Sequence, residues 1–290
     1  NITKAAEKLF ITQSALNQQL LKLEKELGTP LFHRSRTNWR LTEAGEIYIE
    51  GAKAALQIKN TTYNRIYDVV SARKGHLTIG LTPGRGLRMF TAIYPELHRS
   101  FPNLDVRPIE MRVRAQQDAI AKGEIDVGLM TLARRDQTSD TYYPLKQEEL
   151  VLIIPAGHPL AEKAAPSGEP LATLDLTELR YEPFVLMDKT STLRSSCDLL
   201  FEKAGFAPNI LFETNNTSGI AAMVQSTLCC GIIPRYYTLG LTEGVACFSL
   251  PERPSWEIVI SCQKNAYLNS GAREFIRLAR EYWENSAPLF

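Results

Sequence analysis

Gln13, Ser14, Asn17 and Gln18 place four polar side chains within two turns of one another. An Asn or Gln amide can bond the N6 and N7 edge of adenine with two hydrogen bonds, which is how a protein reads bases in the major groove. Lys22, Arg34, Arg36 and Arg40 follow, and these cations suit phosphates or the minor groove. Base contacts specify a sequence and phosphate contacts fix position on it, so the two sets complement one another. The plain alternative is a solvated helix start followed by surface charge.

A second set of polar groups sits where strands end. Thr82-Pro83-Gly84-Arg85-Gly86 follows an apolar run and precedes a helical one. Backbone N–H groups at a helix start, with Arg85 beside them, would seat a carboxylate or phosphate. Thr131 closes a later strand, and Lys189-Thr190-Ser191-Thr192 and Thr214-Asn215-Asn216-Thr217 fill two further strand-to-helix turns. Thr82, Arg85, Thr131, Thr190, Ser191 and Asn215 are the expected contacts for a small anionic effector. An ordinary Gly-rich turn, with Thr192 and Asn216 capping their helices, is the competing reading.

Nothing in the chain spells out a catalyst. His33, His76, His98 and His158 are scattered without metal-ligand spacing, and no GxSxG elbow is present. Gly80 to Gly86 lacks the GK[ST] ending of a phosphate loop. The expectation is therefore no enzyme, no metal and no cofactor. The five cysteines (Cys197, Cys229, Cys230, Cys247 and Cys262) form no CxxC pair, which suits buried thiols in a reducing cytoplasm. The vicinal pair Cys229-Cys230 could instead be a redox switch.

Thr12 can cap a helix through Leu27, with Leu16, Leu20, Leu23 and Leu27 at helical spacing, Gly28 ending it and Pro30 preventing resumption. A shorter helix from Thr3 to Phe10 precedes it, with Leu9 and Phe10 on its inner face. A basic wing over 31–41 follows. Thr42 then opens a helix of about 30 residues to Arg73 that contains no proline and needs a partner to be stable. From His76 strands and helices alternate, which predicts a mostly parallel sheet covered by helices. The expected strands are 77–81, 104–111, 125–130, 150–154, 184–187, 210–213, 232–233 and 256–263, and the last helix is 270–283. Two α/β lobes joined by two crossovers would enclose a cleft.

Charge is divided in the same way. Residues 1–75 carry 12 Lys/Arg against 7 Asp/Glu, a net of +5, while the remainder is net −4. A basic end on a mildly acidic body fits nucleic-acid contact at that end. No apolar run reaches the length of a membrane span, so no membrane partner is expected.

Ala5-Ala6-x-x-Leu9, Thr12-Gln13-Ser14-Ala15-Leu16-x-Gln18, Leu23-Glu24, Leu27-Gly28, Leu31-Phe32-x-Arg34 and Leu41-Thr42-x-x-Gly45 together resemble the LysR-type transcriptional regulators. Further on, Gly75-x-Leu77-x-Ile79-Gly80, Phe101-Pro102, Gly123-x-Ile125-Asp126-Val127-Gly128 and Pro155-x-Gly157-His158-Pro159-Leu160 are similar to the same family's effector-binding module. The resemblance covers essentially the whole chain. It implies an all-α winged helix-turn-helix (1–42), a long linker or dimerisation helix (43–75), and two Rossmann-like lobes of the type 2 periplasmic-binding-protein kind. Lobe I would take 76–154 with 255–290, and lobe II 155–254.

The implied partners are double-stranded promoter DNA, a small-molecule effector such as an organic acid, a second copy of the chain in a homodimer or homotetramer, and RNA polymerase. Members of this family have one more helix before the position of Asn1, so a helix supporting the recognition helix is expected upstream. One stretch departs from the pattern. Thr227 and Cys229 stand where two glycines are usual, which leaves the loop geometry there open. A solute-binding protein and an α/β enzyme are the competing classes; the basic N-terminal helices speak against the first, and no nucleophile–base pair supports the second.

Overall fold

The computed structural model describes residues 2–34, 39–70, 73–166, 168–241 and 243–286. The chain forms two compact units, Asn1–Thr62 and Tyr63–Phe290.

In the first unit α1 (Ile2–Lys8) and α2 (Gln13–Leu27) precede a two-stranded hairpin of β1 (Phe32–Arg34) and β2 (Trp39–Leu41). Thr12 caps α2 by accepting from Ala15 N at 3.1 Å, and Gly28 closes it in the left-handed region at φ +72°. Thr42 then caps α3 (Glu43–Val69), accepting from Gly45 N at 3.0 Å while its hydroxyl donates to Pro30 O at 2.7 Å. A β-carbon on Gly45 would collide with the Leu31 carbonyl oxygen, so this close approach demands glycine. Two expectations need correction. The first helix stops at Lys8, and Phe10 turns out at φ +54° and is 96% exposed, with Leu9 also exposed, so neither lies on an inner face. The long helix stops at Val69, short of Arg73.

The second unit begins within the last turns of α3. Lobe I contains β3 (Lys74–Leu81), α4 (Arg85–Ser100), β4 (Asn103–Glu110), α5 (Val113–Ala121), β5 (Val127–Leu132) and the first part of β6 (Thr141–Pro155). Lobe II takes the rest of β6, then β7 (Pro183–Met187), α6 (Thr192–Ala204), β8 (Asn209–Thr214), α7 (Thr217–Gln225), β9 (Gly231–Pro234) and β10 (Val245–Ser249). The chain returns to lobe I with β11 (Ser255–Cys262) and α8 (Ser270–Glu284).

The sheet is mixed, in contrast to the mostly parallel one expected. β3 pairs in parallel with β4 and β5, but β11 lies antiparallel between β5 and β6. The reason is topological: the two segments that cross between lobes run in opposite directions and meet as neighbours. β6 serves both lobes, pairing with β11 through Glu149 and with β9 and β10 from Leu150 onward. The expected strand over 150–154 is thus the end of a much longer one, and β10 has no counterpart among the expected strands.

Apolar spacing decides which helix faces turn inward. α4 buries Met89, Phe90, Ile93 and Leu97, and α8 buries Ala272, Phe275, Ile276, Ala279 and Trp283, against the alternating Leu77, Ile79 and Leu81 of β3. A separate core around Phe184, Phe201, Phe248 and Ile232 holds lobe II.

The end of α3 is fastened to lobe I. Asn64 donates to His76 O at 3.2 Å and accepts from His76 N at 3.1 Å. Asp68 accepts from Tyr267 Oη at 2.6 Å and from the Ser270 hydroxyl at 2.6 Å, and also takes Ser270 N, so it caps α8 from another helix. Burial pushes the Asp68 carboxyl up, but these bonds and Arg273 outweigh it and hold the group below its ordinary range.

Candidate functional site

Gln13, Ser14, Asn17 and Gln18 open α2, where a recognition helix presents its first turns. Gln13 pairs with Asn17 and Ser14 with Gln18 at i, i+4 spacing, so the four share one face. Gln13, Ser14 and Gln18 are exposed and Asn17 is half-buried. The Gln13 side-chain oxygen accepts from the Thr3 hydroxyl at 3.0 Å, which gives it a defined position. Lys22, one turn further on, is exposed.

The cations differ in how committed they are. Arg34 donates to Glu24, and its guanidinium lies 5.4 Å from the Trp39 ring centre. Glu24 is buried and also accepts from Leu31 N at 2.8 Å. Arg34 therefore carries a structural load as well as any phosphate contact. Arg40 is exposed on β2, opposite His33. Arg36 lies outside the described residues.

In the second unit a cleft of about 530 Å³ opens between the lobes, a size suited to a small metabolite. All six expected effector residues line it. Their chemistry is less uniform than their placement. Thr82 follows β3, and its Oγ1 is buried with no hydrogen-bond partner among the described residues. The Thr131 carbonyl accepts from Thr192 Oγ1 at 3.0 Å, a bond from lobe II to lobe I. Ser191 caps α6 by accepting from Leu193 N at 3.2 Å. Asn216 caps α7, which leaves Asn215 exposed on the cleft wall.

Arg85 requires a correction. It does not present a cation to the cleft, because its guanidinium is buried and committed to Glu148. Its two terminal nitrogens donate to the Glu148 carboxylate at 2.5 and 3.0 Å, while the ring centres of Tyr236 and Tyr237 lie 4.7 and 5.3 Å away. Glu148 also receives Tyr236 N at 2.9 Å and Trp256 Nε1 at 2.7 Å. Charge and hydrogen bonding are both balanced there.

The cations that do reach the cleft are Arg88 and Arg112, which sequence reasoning missed. Arg88 is exposed, lies 6.0 Å from the Tyr236 ring centre, and has no carboxylate partner among the described residues. Arg112 immediately precedes α5 and reaches across to Asp188 of lobe II at 2.9 Å. Both leave a signal: Arg88 lies one turn beyond Arg85, and Arg112 follows the strand beside β3, where the reasoning applied to Thr82 also holds. Burial pushes the Asp188 carboxyl up, but bonds from Thr190 and Arg112 outweigh it and hold it below its ordinary range.

The thiols are inert by position. Burial pushes Cys197 and Cys230 up to about 12 and Cys247 to about 11, with Cys229 and Cys262 also raised. A redox switch at Cys229-Cys230 would need the opposite shift, since the thiolate is the reactive form. Among the described residues no cluster of three or more His, Cys, Asp or Glu could hold a metal ion, and no helix is long and apolar enough to cross a membrane.

Comparison with known proteins bears on both units. The family model for the LysR substrate binding domain matches residues 71–284, and that for the bacterial regulatory helix-turn-helix protein, lysR family, matches residues 1–46. The HTH-type transcriptional regulator YcgK of Bacillus subtilis, itself uncharacterized, is 29% identical over 97% of this chain and 90% of its own. Full-length OxyR from Pseudomonas aeruginosa, in a cysteine-to-aspartate variant, superposes with a TM-score of 0.67 at 21% identity, covering 99% of this chain and 90% of that one. Full-length CbnR, solved with its target DNA, superposes with a TM-score of 0.54 at 21% identity, covering 98% and 94%.

Proposed function

Because the chain belongs to the LysR family of DNA-binding transcriptional regulators, with an effector-binding domain behind its helix-turn-helix, we propose that it binds promoter DNA as an oligomer and senses a small anionic effector. The observation that carries the effector reading is Arg88: an exposed guanidinium on the cleft wall, backed by Tyr236 and unmatched by any described carboxylate. Hydroxyls and amides of Thr82, Thr131, Thr190, Ser191 and Asn215 surround it and would orient an organic acid. On the DNA side Gln13, Ser14, Asn17 and Gln18 read bases, and Lys22, Arg34, Arg36 and Arg40 grip the backbone.

The oligomer reading rests on α3. Ile47, Ile58 and Val69 are exposed along one face of it, and a second copy of the helix would cover such a stripe in a dimer or tetramer. The protein then acts in the cytoplasm, and passes its output to RNA polymerase. A catalytic role is not part of this reading.

Two measurements test it. A gel shift with promoter DNA should give a retarded complex that weakens steeply with salt. A thermal-shift screen of organic acids should raise the melting temperature for at least one of them. No retarded complex would defeat the DNA reading, and no response to any acid would defeat the effector reading.

A further inference from the structure

Arg112 and Asp188 stand on opposite walls of the cleft. Arg112 follows β4 of lobe I and Asp188 follows β7 of lobe II, 2.9 Å apart. The same arginine nitrogen also reaches the Thr190 hydroxyl. Two further bonds tie α6 to lobe I: Thr192 Oγ1 to Thr131 O at 3.0 Å and the Arg135 guanidinium to Ser196 Oγ at 3.1 Å. The two lobes are thus clasped at one rim, and of those four bonds only Arg112 to Asp188 is an ion pair.

The pairing is incomplete on both sides. Arg112 contacts Asp188 through one nitrogen and one oxygen, whereas a guanidinium can offer a carboxylate a two-pronged fork. Asp188 Oδ2 is buried and has no partner among the described residues. The side chains are 45% and 26% exposed, so water and solutes reach the pair, and ion pairs in that setting are weak. Asp188 also keeps other donors. Its Oδ1 accepts from Thr190 N at 2.9 Å and from the Thr190 hydroxyl. Losing Arg112 would not leave the carboxylate bare.

We propose that Asp188 is an internal competitor for the carboxylate seat at Arg112, and so sets the affinity of the cleft: an incoming carboxylate takes Arg112 in a two-pronged bond, Asp188 falls back on Thr190, and the hold of lobe II on lobe I is loosened to the two bonds of α6. This deepens the reading above and rests on it. It assigns Arg112, beside Arg88 and in place of Arg85, as a residue that holds the acid. It also assigns Asp188 as the residue that holds affinity down until the acid is abundant. The cleft chemistry fits such a ligand, since Tyr236 and Trp256 supply aromatic walls and Arg88 adds a second cation.

The test uses the full chain with sodium benzoate as probe and neutral benzamide as control, in wild type, Asp188→Asn and Arg112→Gln. Calorimetry should give at least fivefold tighter benzoate binding for Asp188→Asn and at least tenfold weaker binding for Arg112→Gln, with benzamide indifferent to both. In parallel, spin labels on cysteines introduced at Lys122 and Glu202, both exposed, report the distance between lobes without any ligand. That distance should lengthen and broaden in both variants. Unchanged distances in both, or equal benzoate affinity in wild type and Asp188→Asn, would overturn the competitor role while leaving an anion-binding cleft standing. Longer distances with no benzoate bound by any of the three proteins would instead defeat the anion reading, and the competition with it. Circular dichroism and melting curves establish that each variant is folded.

Discussion

The Glu148 carboxylate receives both terminal nitrogens of Arg85, at 2.5 and 3.0 Å, with the two side chains 0% and 4% exposed. The pair lies beside the crossing between lobes, since Glu148 is on β6 near the point where that strand changes lobes and Tyr236 follows β9. A buried charge that loses its partner is costly. Glu148→Gln should therefore lower stability by about 3–5 kcal/mol in urea unfolding. Arg85→Met combined with Glu148→Leu should recover much of that loss. A double variant as unstable as Glu148→Gln would show that the pair contributes more than charge balance.

The residues proposed to contact DNA separate by what each is already bonded to. Asn17→Ala should relax base preference and cost about 1–3 kcal/mol at one base pair. Arg40→Ala should weaken all sequences alike and reduce the salt slope by about 1. Arg34→Ala should do more, because it strips buried Glu24 of its cation: the N-terminal unit should melt earlier even without DNA. Titrations over several salt concentrations, with calorimetric melting, distinguish the three. An Arg34→Ala protein with unchanged melting would remove the structural role.

The buried thiols predict alkaline weakening. Cys197 and Cys230 ionise near 9.0 when unfolded but about 12 when folded, and Cys247 about 11. Between those limits the unfolded chain holds fewer protons, so stability falls as pH rises from about 9 and the loss is complete near 12. Unfolding midpoints measured from pH 7 to 10.5 should decline above 9, with a shallower slope in Cys197→Ala. Ellman's reagent at pH 8 should react slowly with native protein and quickly in urea.

Thr227 sits at φ +65°, directly after the last residue of the α7 cap, Ser226. That is where helices favour glycine, and a β-branched residue is strained by the left-handed backbone. The left-handed backbone at this position is one that glycine would adopt without strain. Thr227→Gly should raise stability by up to about 1 kcal/mol, the relief of strain less the extra freedom of glycine in the unfolded chain. A lower urea midpoint would mean that the Thr227 side chain does something the backbone does not disclose.

Features encoded by neighbours in the chain are readable from the sequence. Thr12, Gly28 and Thr42 end or begin helices through bonds within a few residues, and α6 starts where the Thr190-Ser191-Thr192 run places it. Long-range partnership is not readable in this way. Arg85 looks available because Glu148 is far along the chain, and Lys146-Gln147-Glu148-Glu149 looks like solvent-facing polarity, which hides the strand over residues 141–149. The burial of Glu148 depends on Trp256 and Tyr236 supplying donors. Ser191 illustrates the middle ground: its place on the cleft follows from the strand-to-helix turn, while its capping bond appears only in the structure.

The return of β11 and α8 to lobe I bears on how the protein is made. Lobe II is one uninterrupted stretch of chain, from Leu150 to Ser249, whereas the sheet of lobe I lacks its central β11 until residues past Ser255 have emerged. On the ribosome the second lobe is thus the first that can be finished. The first must wait, with Leu129 and Met130 of β5 still lacking the strand that later covers their edge. Even the end of the α3 helix, made early, finds its clamp at Tyr267 and Ser270 only as synthesis closes. A transcript cut short after lobe II would yield a sensor wall that folds on time, attached to a frame that never does.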